Sequence, residues 1–416
     1  MLSFLFWLFV VPAGGAALLS VRTGQRYREY IESELRGPVL DVPGSDEGAH
    51  EGEGEPKADY LPPVSLIFPV KGLDNDLAEN IKSLAEQDYP DFELLIVSSD
   101  GADPAVQAAR TLLGDRARFI VAGEPPEGTG EKVHNLTGAV DQARPESSVL
   151  AFADSDGQVS AGWLRALVAP LADESLGATT GFRWHFPSGG GFGSLLRSVW
   201  DSTIAGNMSP KDNNFAWGGA TAIRRKVFDE AKVRDFWRGT VSDDYRLSAA
   251  MNAAKLGIRF VPGAMVATTG DCSGREFLRW ATRQMIITKV YRRNLWLASF
   301  VAHIFYCGAM LTSFLMLFFG EAPWGFGGLV LTIVPGMGKG EMRGYVARLM
   351  FPEREEWLDR FGWAYFWMVP IATWTWLYVF AASALTRRIE WRGYVYELLS
   401  AEETRVVRQQ RERAQQ

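Results

Sequence analysis

The sequence predicts an α/β protein in which a mainly parallel sheet, covered by helices, is joined to apolar transmembrane helices. Three observations predict this class. Short β-type runs alternate with helical stretches between residues 64 and 156. Residues 2–21 contain no charge, and the last third of the 416-residue chain holds two further long apolar stretches. A chain of this length is large enough to bury a sizeable core.

The alternation of strand-like and helix-like segments begins with VSLIFPV and ends with SVLAFADSD. Between them, the helical stretches NDLAENIKSLAEQ, DPAVQAARTLL and EKVHNLTGAVDQAR are separated by FELLIVSS and ARFIVAG. Such alternation implies a mainly parallel sheet with helices on both faces. In these sheets ligands bind beyond the carboxyl ends of the strands. Asp100 and Asp154 each stand where a predicted strand ends, so both are candidate ligand-binding residues.

Charge and composition exclude several classes of function. A net charge of −6 gives no electrostatic footprint for nucleic acid. Two cysteines cannot build a disulfide framework, and four histidines without paired spacing argue against a zinc site. No predicted strand is followed by the Gly-rich fingerprint of a nicotinamide-binding site.

The N-terminal apolar stretch, residues 2–21, has the length needed to cross a bilayer. A cleaved signal peptide is the alternative, but the basic residues expected ahead of its apolar part are missing. Arg22, Arg26 and Arg28 follow instead, which predicts an uncleaved anchor with the next part of the chain in the cytoplasm. Residues 41–63 are acidic and rich in Gly and Pro, which predicts a flexible tether.

The C-terminal third contains two predicted crossings, residues 295–319 and residues 363–385. Between them, residues 324–337 would span about 21 Å as a helix, which is short of the roughly 30 Å hydrocarbon core. We therefore expect three full crossings, a re-entrant segment and a cytosolic tail. Four crossings are the alternative, and they would leave a basic tail outside, against the positive-inside bias.

These boundaries divide the chain into six parts. They are an anchor (1–22), a basic juxtamembrane segment with an acidic linker (23–62), a catalytic domain (63–270), an amphipathic interfacial helix (271–293), a membrane region (294–386) and a tail (387–416).

Two carboxylates one residue apart, Asp154 and Asp156, end the predicted strand in ADSDG. An acid before glycine is common in turns, so each alone is compatible with turn chemistry. As a pair after an apolar strand they suit a hard divalent cation, Mn or Mg, which wants oxygen ligands and usually shares them with phosphates. Such a metal would neutralise a nucleotide leaving group. Lys71 and Lys132 could supply further positive charge.

A second acidic pair, Asp243 and Asp244 in VSDDYRL, stands at the start of the predicted helix DDYRLSAAMNAAKLG. The like-charged neighbour is expected to raise one pKa toward the range useful to a general base. The alternative is that acidic residues simply favour the start of a helix.

The stretch SGREFLRWATRQMIITKVYRR predicts a basic amphipathic helix. Arg275, Arg279 and Arg283 recur every four residues and therefore share one helical face. With Trp280 among the apolar residues, the helix suits the cytoplasmic membrane surface, where arginine meets phosphate and tryptophan lies at the interface. An ordinary juxtamembrane basic helix is the alternative.

Taken in order, these motifs resemble the inverting, family 2 type of glycosyltransferase with the GT-A fold. Within that class the chain looks most like the ceramide glucosyltransferases and their bacterial relatives that glycosylate hopanoids and other lipids. The similarity runs from about residue 63 to residue 398. It is carried by VSLIFPVKGLD, QDYPDFELLIVSSDGADPA, EKVHNL, GGATAIRR, SDDY and RRIEWRGYVYEL.

The resemblance implies a role for each matching residue. Asp100 would bind the uracil-ribose part of the donor, Asp154 with Asp156 the metal and diphosphate, and Asp244 would be the catalytic base. The implied donor-binding residues also include Lys71, Lys132, Asn135, Arg279 and Trp280. Two positions depart from the family pattern: Glu276 replaces Gln or Arg, and Asp243 replaces Glu.

The predicted function is transfer of one hexose, glucose being favoured, from a UDP-sugar to the hydroxyl of a membrane lipid such as ceramide. A processive polysaccharide synthase, a polyprenyl-phosphate glycosyltransferase and a catalytically silent membrane scaffold are the alternatives. The Arg- and Ala-rich composition favours a bacterial protein, which predicts an inner-membrane location with a cytosolic catalytic domain.

Overall fold

A computed structural model describes residues 1–36 and 60–409 of the chain. The predicted tether, residues 41–63, lies outside the described residues except for its last four. The strands are β1 (Val64–Pro69), β2 (Phe92–Ser98), β3 (Arg118–Val121), β4 (Val149–Ala153), β5 (Leu176–Thr180), β6 (Arg183–His185), β7 (Ala220–Arg224), β8 (Gly257–Phe260), β9 (Val266–Thr268), β10 (Arg388–Trp391), β11 (Tyr394–Leu398) and β12 (Thr404–Gln409).

The helices enclose the sheet and extend from one side of it. They are α1 (Leu2–Arg36), α2 (Leu77–Ala85), α3 (Pro104–Leu113), α4 (Glu131–Gln142), α5 (Trp163–Val168), α6 (Phe192–Ala205), α7 (Arg225–Glu230), α8 (Val233–Trp237), α9 (Asp243–Ala253), α10 (Gly274–Tyr291), α11 (Arg293–Phe319), α12 (Ala322–Met350), α13 (Glu355–Phe361), α14 (Ala364–Trp367) and α15 (Val369–Ala384).

The central sheet has seven strands in the order β3-β2-β1-β4-β7-β5-β8. Its strands pair in parallel except for β7, which runs antiparallel to both β4 and β5. Strands β1 and β4 are buried along their whole length, as expected for a sheet covered on both faces. The predicted alternation from residue 64 to residue 156 and the predicted α/β class are confirmed.

The order β2-β1-β4 places the ends of three parallel strands at one edge of the sheet. Val64 of β1 pairs with Phe92 of β2 on one side and with Val149 of β4 on the other. Because all three strands run in one direction, the loops that begin at residues 70, 99 and 154 emerge at the same edge. The acidic turns predicted from the sequence therefore meet there.

Helices α1, α11 and α12 pack together as a bundle in which α1 and α12 run in the same direction and α11 runs antiparallel to both. Trp7 lies 5.2 Å from Trp324, measured between ring centroids, at the end far from the sheet. At the other end the Tyr30 hydroxyl donates to the Phe260 carbonyl over 2.6 Å, which ties α1 to the domain. Among the described residues, two helices are long and apolar enough to cross a bilayer, within Leu2–Leu35 and Arg293–Phe319.

The predicted re-entrant segment, residues 324–337, is instead the first part of the 29-residue helix α12. Small residues let this helix approach its neighbours closely: a Cβ added at Gly325 would lie 2.7 Å from the Ser313 carbonyl oxygen of α11. That packing supports a helix that continues through Pro335. The length of the apolar segment 324–337, taken alone, does not predict such a long helix.

Residues 363–385 also differ from the expected crossing. Helix α15 has 16 residues, about 24 Å of helix. The chain before it contacts the domain through Phe351, 4.9 Å from Phe186, and the chain after it contacts the domain through Arg392 and Asp74. Midway along α15, Trp376 stacks on Trp200 of α6 at 3.9 Å. The segment therefore begins, runs and ends against the α/β domain.

Candidate active site

The acidic edge of the sheet opens into a cavity of about 730 Å³. Loops after β1 and β4 and the start of α9 form one end, and the hairpin β10–β11 closes the side. The other end runs between α10, α11 and α15. Its charged lining residues are Lys71, Glu131, Lys132, Asp154, Asp156, Arg183, Asp243, Asp244, Arg283, Arg292 and Arg392. Its apolar lining includes Ile204, Met285, Leu295, Trp296, Trp376 and Phe380.

Asp154 and Asp156 follow the last residue of β4 and both line the cavity. Burial and the charge of Asp154 raise the pKa of Asp156, and the guanidinium of Arg183 opposes this rise. Between them, Ser155 is buried and its hydroxyl donates to Asp74. Two carboxylates at a strand end, one of them with a raised pKa, form a place where a cation would be stabilised.

Lys132, in the first turn of α4, links the two acidic sites. Its Nζ lies 2.7 Å from Asp154 Oδ1 and 3.2 Å from Asp243 Oδ1. Burial disfavours the ammonium charge, but these carboxylates outweigh burial and raise its pKa. Asn135, almost one turn later, also lines the cavity. Its buried Oδ1 accepts no hydrogen bond from the described residues and is available to a ligand.

Asp243 and Asp244 have different surroundings although they are neighbours. Asp243 is 5 % exposed, and burial with the charges of Asp244 and Asp154 raises its pKa to about 6 against the opposing effect of Lys132. Asp244 lines the cavity, and its Oδ1 accepts from Ser242 and from the Tyr245 amide at 2.7 Å. Its Oδ2 accepts no hydrogen bond from residues 1–36 or 60–409.

Lys71 and Asp100 follow β1 and β2 but have different positions. Lys71 lines the cavity, pairs with Glu131 and lies 4.5 Å from the ring centroid of Tyr394. Asp100 is exposed and outside the cavity lining, and its Oδ1 accepts from the Ala102 amide at 2.8 Å, which is ordinary turn chemistry.

Helix α10 turns one of its three spaced arginines toward the cavity. Trp280 and Arg283 line it, whereas Arg275 and Arg279 are exposed and outside it. Burial and the charges of Arg183 and Arg392 lower the pKa of Arg283 to about 10. Three guanidinium groups that repel one another around one space favour an anion there. Arg279, which the resemblance assigns to the leaving diphosphate, therefore lies outside the cavity lining, one helical turn before Arg283.

Glu276, a departure from the family pattern, has a local role at the start of α10. The Ser273 hydroxyl accepts from the Glu276 amide at 3.3 Å, and the Glu276 carboxylate accepts from the Ser273 amide at 2.8 Å. This reciprocal pair is a capping box, which satisfies two backbone donors that the helix cannot satisfy itself.

A buried polar cluster behind Trp280 was missed by sequence reasoning. Asp201 lies 3.0 Å from Arg183 Nε and 3.2 Å from His185 Nε2. Arg183 also lies 4.9 Å from the ring centroid of Trp280. Burial and nearby Arg197 lower the pKa of His185 to about 4 despite Asp201, so His185 is neutral at pH 7. The cluster holds Arg183 at the cavity wall.

The donor set fits a divalent cation that shares its ligands with a substrate. In the described parts of the chain, no group of three or more His, Cys, Asp or Glu side chains is placed to hold a metal. Asp154 and Asp156 alone offer two carboxylates. Mg²⁺ and ions like it are commonly bound by one or two carboxylates, with phosphate oxygens and water completing the shell.

The sequence profile of glycosyl transferase family 21 matches residues 46–404. The chain belongs to this family. The predicted resemblance to ceramide glucosyltransferase-like glycosyltransferases is confirmed, and the mainly parallel sheet with carboxylates at its strand ends agrees with the predicted GT-A architecture.

Curated relatives of this family 21 chain are similar over short stretches. Ceramide glucosyltransferase 1 of Caenorhabditis elegans is 34% identical over 99 residues, which cover 23% of this chain and 20% of that protein. Ceramide glucosyltransferase 3 of the same organism is 35% identical over 80 residues, covering 18% and 17%. The matched stretches thus span about a fifth of the length of these relatives.

Among solved structures, the family 21 chain is similar to a mannosyltransferase from Pyrobaculum calidifontis in complex with GDP-Man and Mn²⁺. The TM-score is 0.49 at 17% identity, and the match covers 93% of this chain and 99% of that one.

Proposed function

We propose that this protein transfers one hexose, glucose, from a UDP-sugar to the hydroxyl of a membrane lipid such as ceramide. The observation that carries this proposal is the shape of the cavity. One end holds acidic and basic groups suited to a nucleotide diphosphate, and the other end is lined by apolar and aromatic residues of α10, α11 and α15. A substrate pair with one charged and one apolar member fits such a space. The names of the Caenorhabditis relatives support glucose and ceramide.

The donor end uses residues from four parts of the chain. Lys71, Lys132, Arg183 and Arg283 would surround the diphosphate with positive charge, and Trp280 would cover it. Asn135, with its unsatisfied buried Oδ1, would bind the uridine or sugar part of the donor. Asp100, in the exposed turn after β2, would contact the uracil-ribose part of the donor.

Asp154 and Asp156 would hold the divalent cation, Mn or Mg, together with the diphosphate. When bound, this ion supplies positive charge that stabilises the leaving UDP. Lys132, now 2.7 Å from Asp154, would then turn its ammonium group toward the phosphate oxygens while keeping its contact with Asp243.

Asp244 would be the general base. Its Oδ1 is held by the first turn of α9 and its Oδ2 is free to accept the proton of the acceptor hydroxyl. As that proton leaves, the lipid oxygen forms a bond to the anomeric carbon, and the bond from this carbon to the diphosphate oxygen breaks. Attack from the face opposite the leaving group inverts the configuration. Asp243 is less suited to the role because it is paired with Lys132.

The two long apolar helices, α1 and α11, support a lipid acceptor over the alternatives. Among the described residues, two helices are long and apolar enough to cross a bilayer, fewer than we expect for the translocation channel of a processive polysaccharide synthase. Transfer to a polyprenyl phosphate needs no hydroxyl deprotonation and hence no base like Asp244. A silent scaffold would not need the paired carboxylates and lysine at the strand ends. We further propose a bacterial inner-membrane location with the catalytic domain in the cytosol.

The test uses the purified full chain in detergent with UDP-glucose, Mn²⁺ and either ceramide, diacylglycerol or a hopanoid. Mass spectrometry is expected to show a lipid with one added hexose, and the anomeric configuration should be inverted relative to the donor. Asp244→Asn is the matched inactive control. A polymeric product would favour the processive alternative, and no metal-dependent release of UDP with any acceptor or with water would contradict an enzymatic role. Lipids from cells with and without the gene would then identify the natural acceptor.

A further inference from the structure

The turn between β10 and β11 carries an arginine in an unusual backbone conformation. Trp391 pairs with Tyr394, so the hairpin turn consists of two residues, Arg392 and Gly393. Their φ angles are 47° and 81°, both in the left-handed region. Gly and Asn adopt this conformation most readily in such turns, whereas a long side chain does so at a cost. An arginine here suggests that its guanidinium group is needed at this place.

The guanidinium of Arg392 binds the loop that follows β1. Its Nη2 donates to both carboxylate oxygens of Asp74, at 2.7 and 2.8 Å, and its Nη1 donates to the Lys71 carbonyl at 2.9 Å. Charge-assisted contacts of this kind are among the stronger hydrogen bonds in proteins. They join two segments that lie 321 residues apart along the chain.

Asp74 in turn contacts the turn that holds the paired aspartates. Its carboxylate accepts a hydrogen bond from the hydroxyl of Ser155, the residue between Asp154 and Asp156. From the other side, Asn80 Nδ2 donates to the Ser155 carbonyl at 2.9 Å. Both the side chain and the backbone carbonyl of Ser155 are therefore hydrogen-bonded. The side-chain hydrogen bond is the one that depends on Asp74.

The hairpin itself is anchored so that its turn is held in place. Ile389, Tyr394 and Tyr396 are buried in one cluster with Ile286 of α10. The Tyr396 hydroxyl accepts from the Glu131 amide at the start of α4, at 3.3 Å. The turn therefore has a defined position relative to both α4 and α10, which carry the proposed donor-binding residues.

We propose that Arg392 is a positioning residue of the donor site, acting through Asp74 on the turn that contains Asp154 and Asp156. Without the guanidinium, the loop after β1 and the Ser155 contact lose their external support, and the two aspartates lose their spacing. This inference rests on the proposed function, because it assumes that the aspartates bind a metal with a UDP-sugar.

Arg392→Asn is the sharpest test, since asparagine favours the left-handed turn and should keep or improve the stability of the hairpin. Calorimetry with UDP and Mn²⁺ is expected to show at least about tenfold weaker binding. The donor KM should rise by a similar factor and the thermal unfolding midpoint should not fall. Arg388→Gln, an exposed arginine on β10 of the same hairpin, is the matched control and should bind UDP like the wild type.

Asp74→Asn tests the route of the effect without touching the turn. It should weaken UDP binding at least as much as Arg392→Asn does, and adding Arg392→Asn to it should cost less than a further factor of about two. Losses that multiply in the double variant would overturn the positioning role, because they would show that Arg392 contacts the donor independently of Asp74.

The outcomes separate this inference from the proposed function. Wild-type UDP affinity in both Arg392→Asn and Asp74→Asn would overturn the inference and leave the proposed function intact. Absence of UDP binding by the wild-type protein would overturn both. A fall in the unfolding midpoint of Arg392→Asn with unchanged binding in Asp74→Asn would assign the arginine to hairpin stability and overturn its role at the site.

Discussion

Asp243 and Asp244 are adjacent in the chain, but their carboxylates have different partners. Helix α9 begins at this pair, with Ser242 as its N-cap accepting from the Tyr245 amide. Both carboxylates line the cavity, but the first is paired with Lys132, whereas the second accepts hydrogen bonds from Ser242 and the Tyr245 amide. The raised pKa predicted for one member of the pair is found at Asp243. For Asp244, the proposed base, accessibility of one carboxylate oxygen is the relevant property.

Asp244→Asn should abolish sugar transfer while leaving UDP binding within a few-fold of normal. Loss of a general base commonly costs about 10²–10⁴-fold in rate, and the proposed role of this carboxylate is at the acceptor. Initial rates with UDP-glucose and lipid, together with calorimetry with UDP, measure both quantities. A variant that keeps more than about a tenth of its activity would make Asp243 the candidate base.

Asp243→Asn should raise the thermal unfolding midpoint at pH 7.5, and the gain should shrink as pH falls below about 6 and vanish close to the usual aspartate pKa, about 4. The pKa of Asp243 is raised from its usual value to about 6, so the folded protein holds this proton more tightly than the unfolded chain does. Ionisation above that pKa therefore costs stability, and stability falls as pH rises through the window between the two values. The amide removes this cost.

Detergent-solubilised protein, followed by fluorescence on heating, would measure the effect, expected at about 2–4 °C. Asp88→Asn is the control, because that carboxylate is 78% exposed. A lower midpoint for Asp243→Asn at pH 7.5 would mean that the ion pair with Lys132 stabilises the fold more than burial of the carboxylate destabilises it.

At the scale of elements, helix α10 carries two sequence patterns, a capping box at its start and arginines spaced every four residues. The capping box at Ser273 and Glu276 fixes where the helix begins. Its contacts with α6, α11 and α15 then fix its rotation about its own axis. With that rotation, the third of its regularly spaced arginines, Arg283, faces the cavity and the first two face outward.

Arg283→Gln should weaken UDP binding at least about tenfold and slow sugar transfer, because it removes one of the four cationic side chains, with Lys71, Lys132 and Arg183, proposed to surround the diphosphate. Arg279→Gln should have a smaller effect, and Arg275→Gln, in the exposed first turn, is the control. Calorimetry with UDP and Mn²⁺ compares the three. A larger loss for Arg279→Gln than for Arg283→Gln would restore the assignment made by resemblance.

At the scale of the whole molecule, the bundle determines which ends of the chain share a side. The N-terminus and the turn between α11 and α12 lie together at the far end, because Trp7 contacts Trp324 there. The end of α12, helix α15 and the hairpin all lie against the catalytic domain. If the bundle spans the membrane, α11 leaves the catalytic side and α12 returns to it.

A tag after Gln416 should therefore be protected from protease in intact cells, and tags before Met1 or at Gly320 should be cleaved. Arg22, Arg26 and Arg28, in the half of α1 nearer the domain, then follow the positive-inside bias. Membrane vesicles of inverted orientation should give the opposite pattern. Cleavage of the Gln416 tag from outside would contradict this topology and support an odd number of crossings after the α/β domain, as in the four-crossing alternative.

Much of the catalytic domain could be predicted from the sequence because its signals are local. Alternating apolar runs and helical stretches specify β1 to β4 and the helices between them, and an apolar strand that ends in two acids specifies an acidic turn. The start of α9 is likewise set by Ser242 and the two acids that follow it. Each of these signals lies within one turn of a helix or one strand, so no distant contact was needed to interpret it.

Only the tertiary structure determines which residues from distant segments of the chain contact one another. The pairing of Arg392 with Asp74, the cluster of Arg183 with Asp201, and the position of Arg283 at the cavity lining depend on how elements pack. The continuity of α12 through Pro335 depends on close packing against α1 and α11, which hydropathy counted along one segment does not report. Sequence patterns specify where a single helix or strand ends and which of its faces is apolar. The rotation of each helix about its axis, the burial of its side chains and the ion pairs between distant segments depend on how the elements pack against one another.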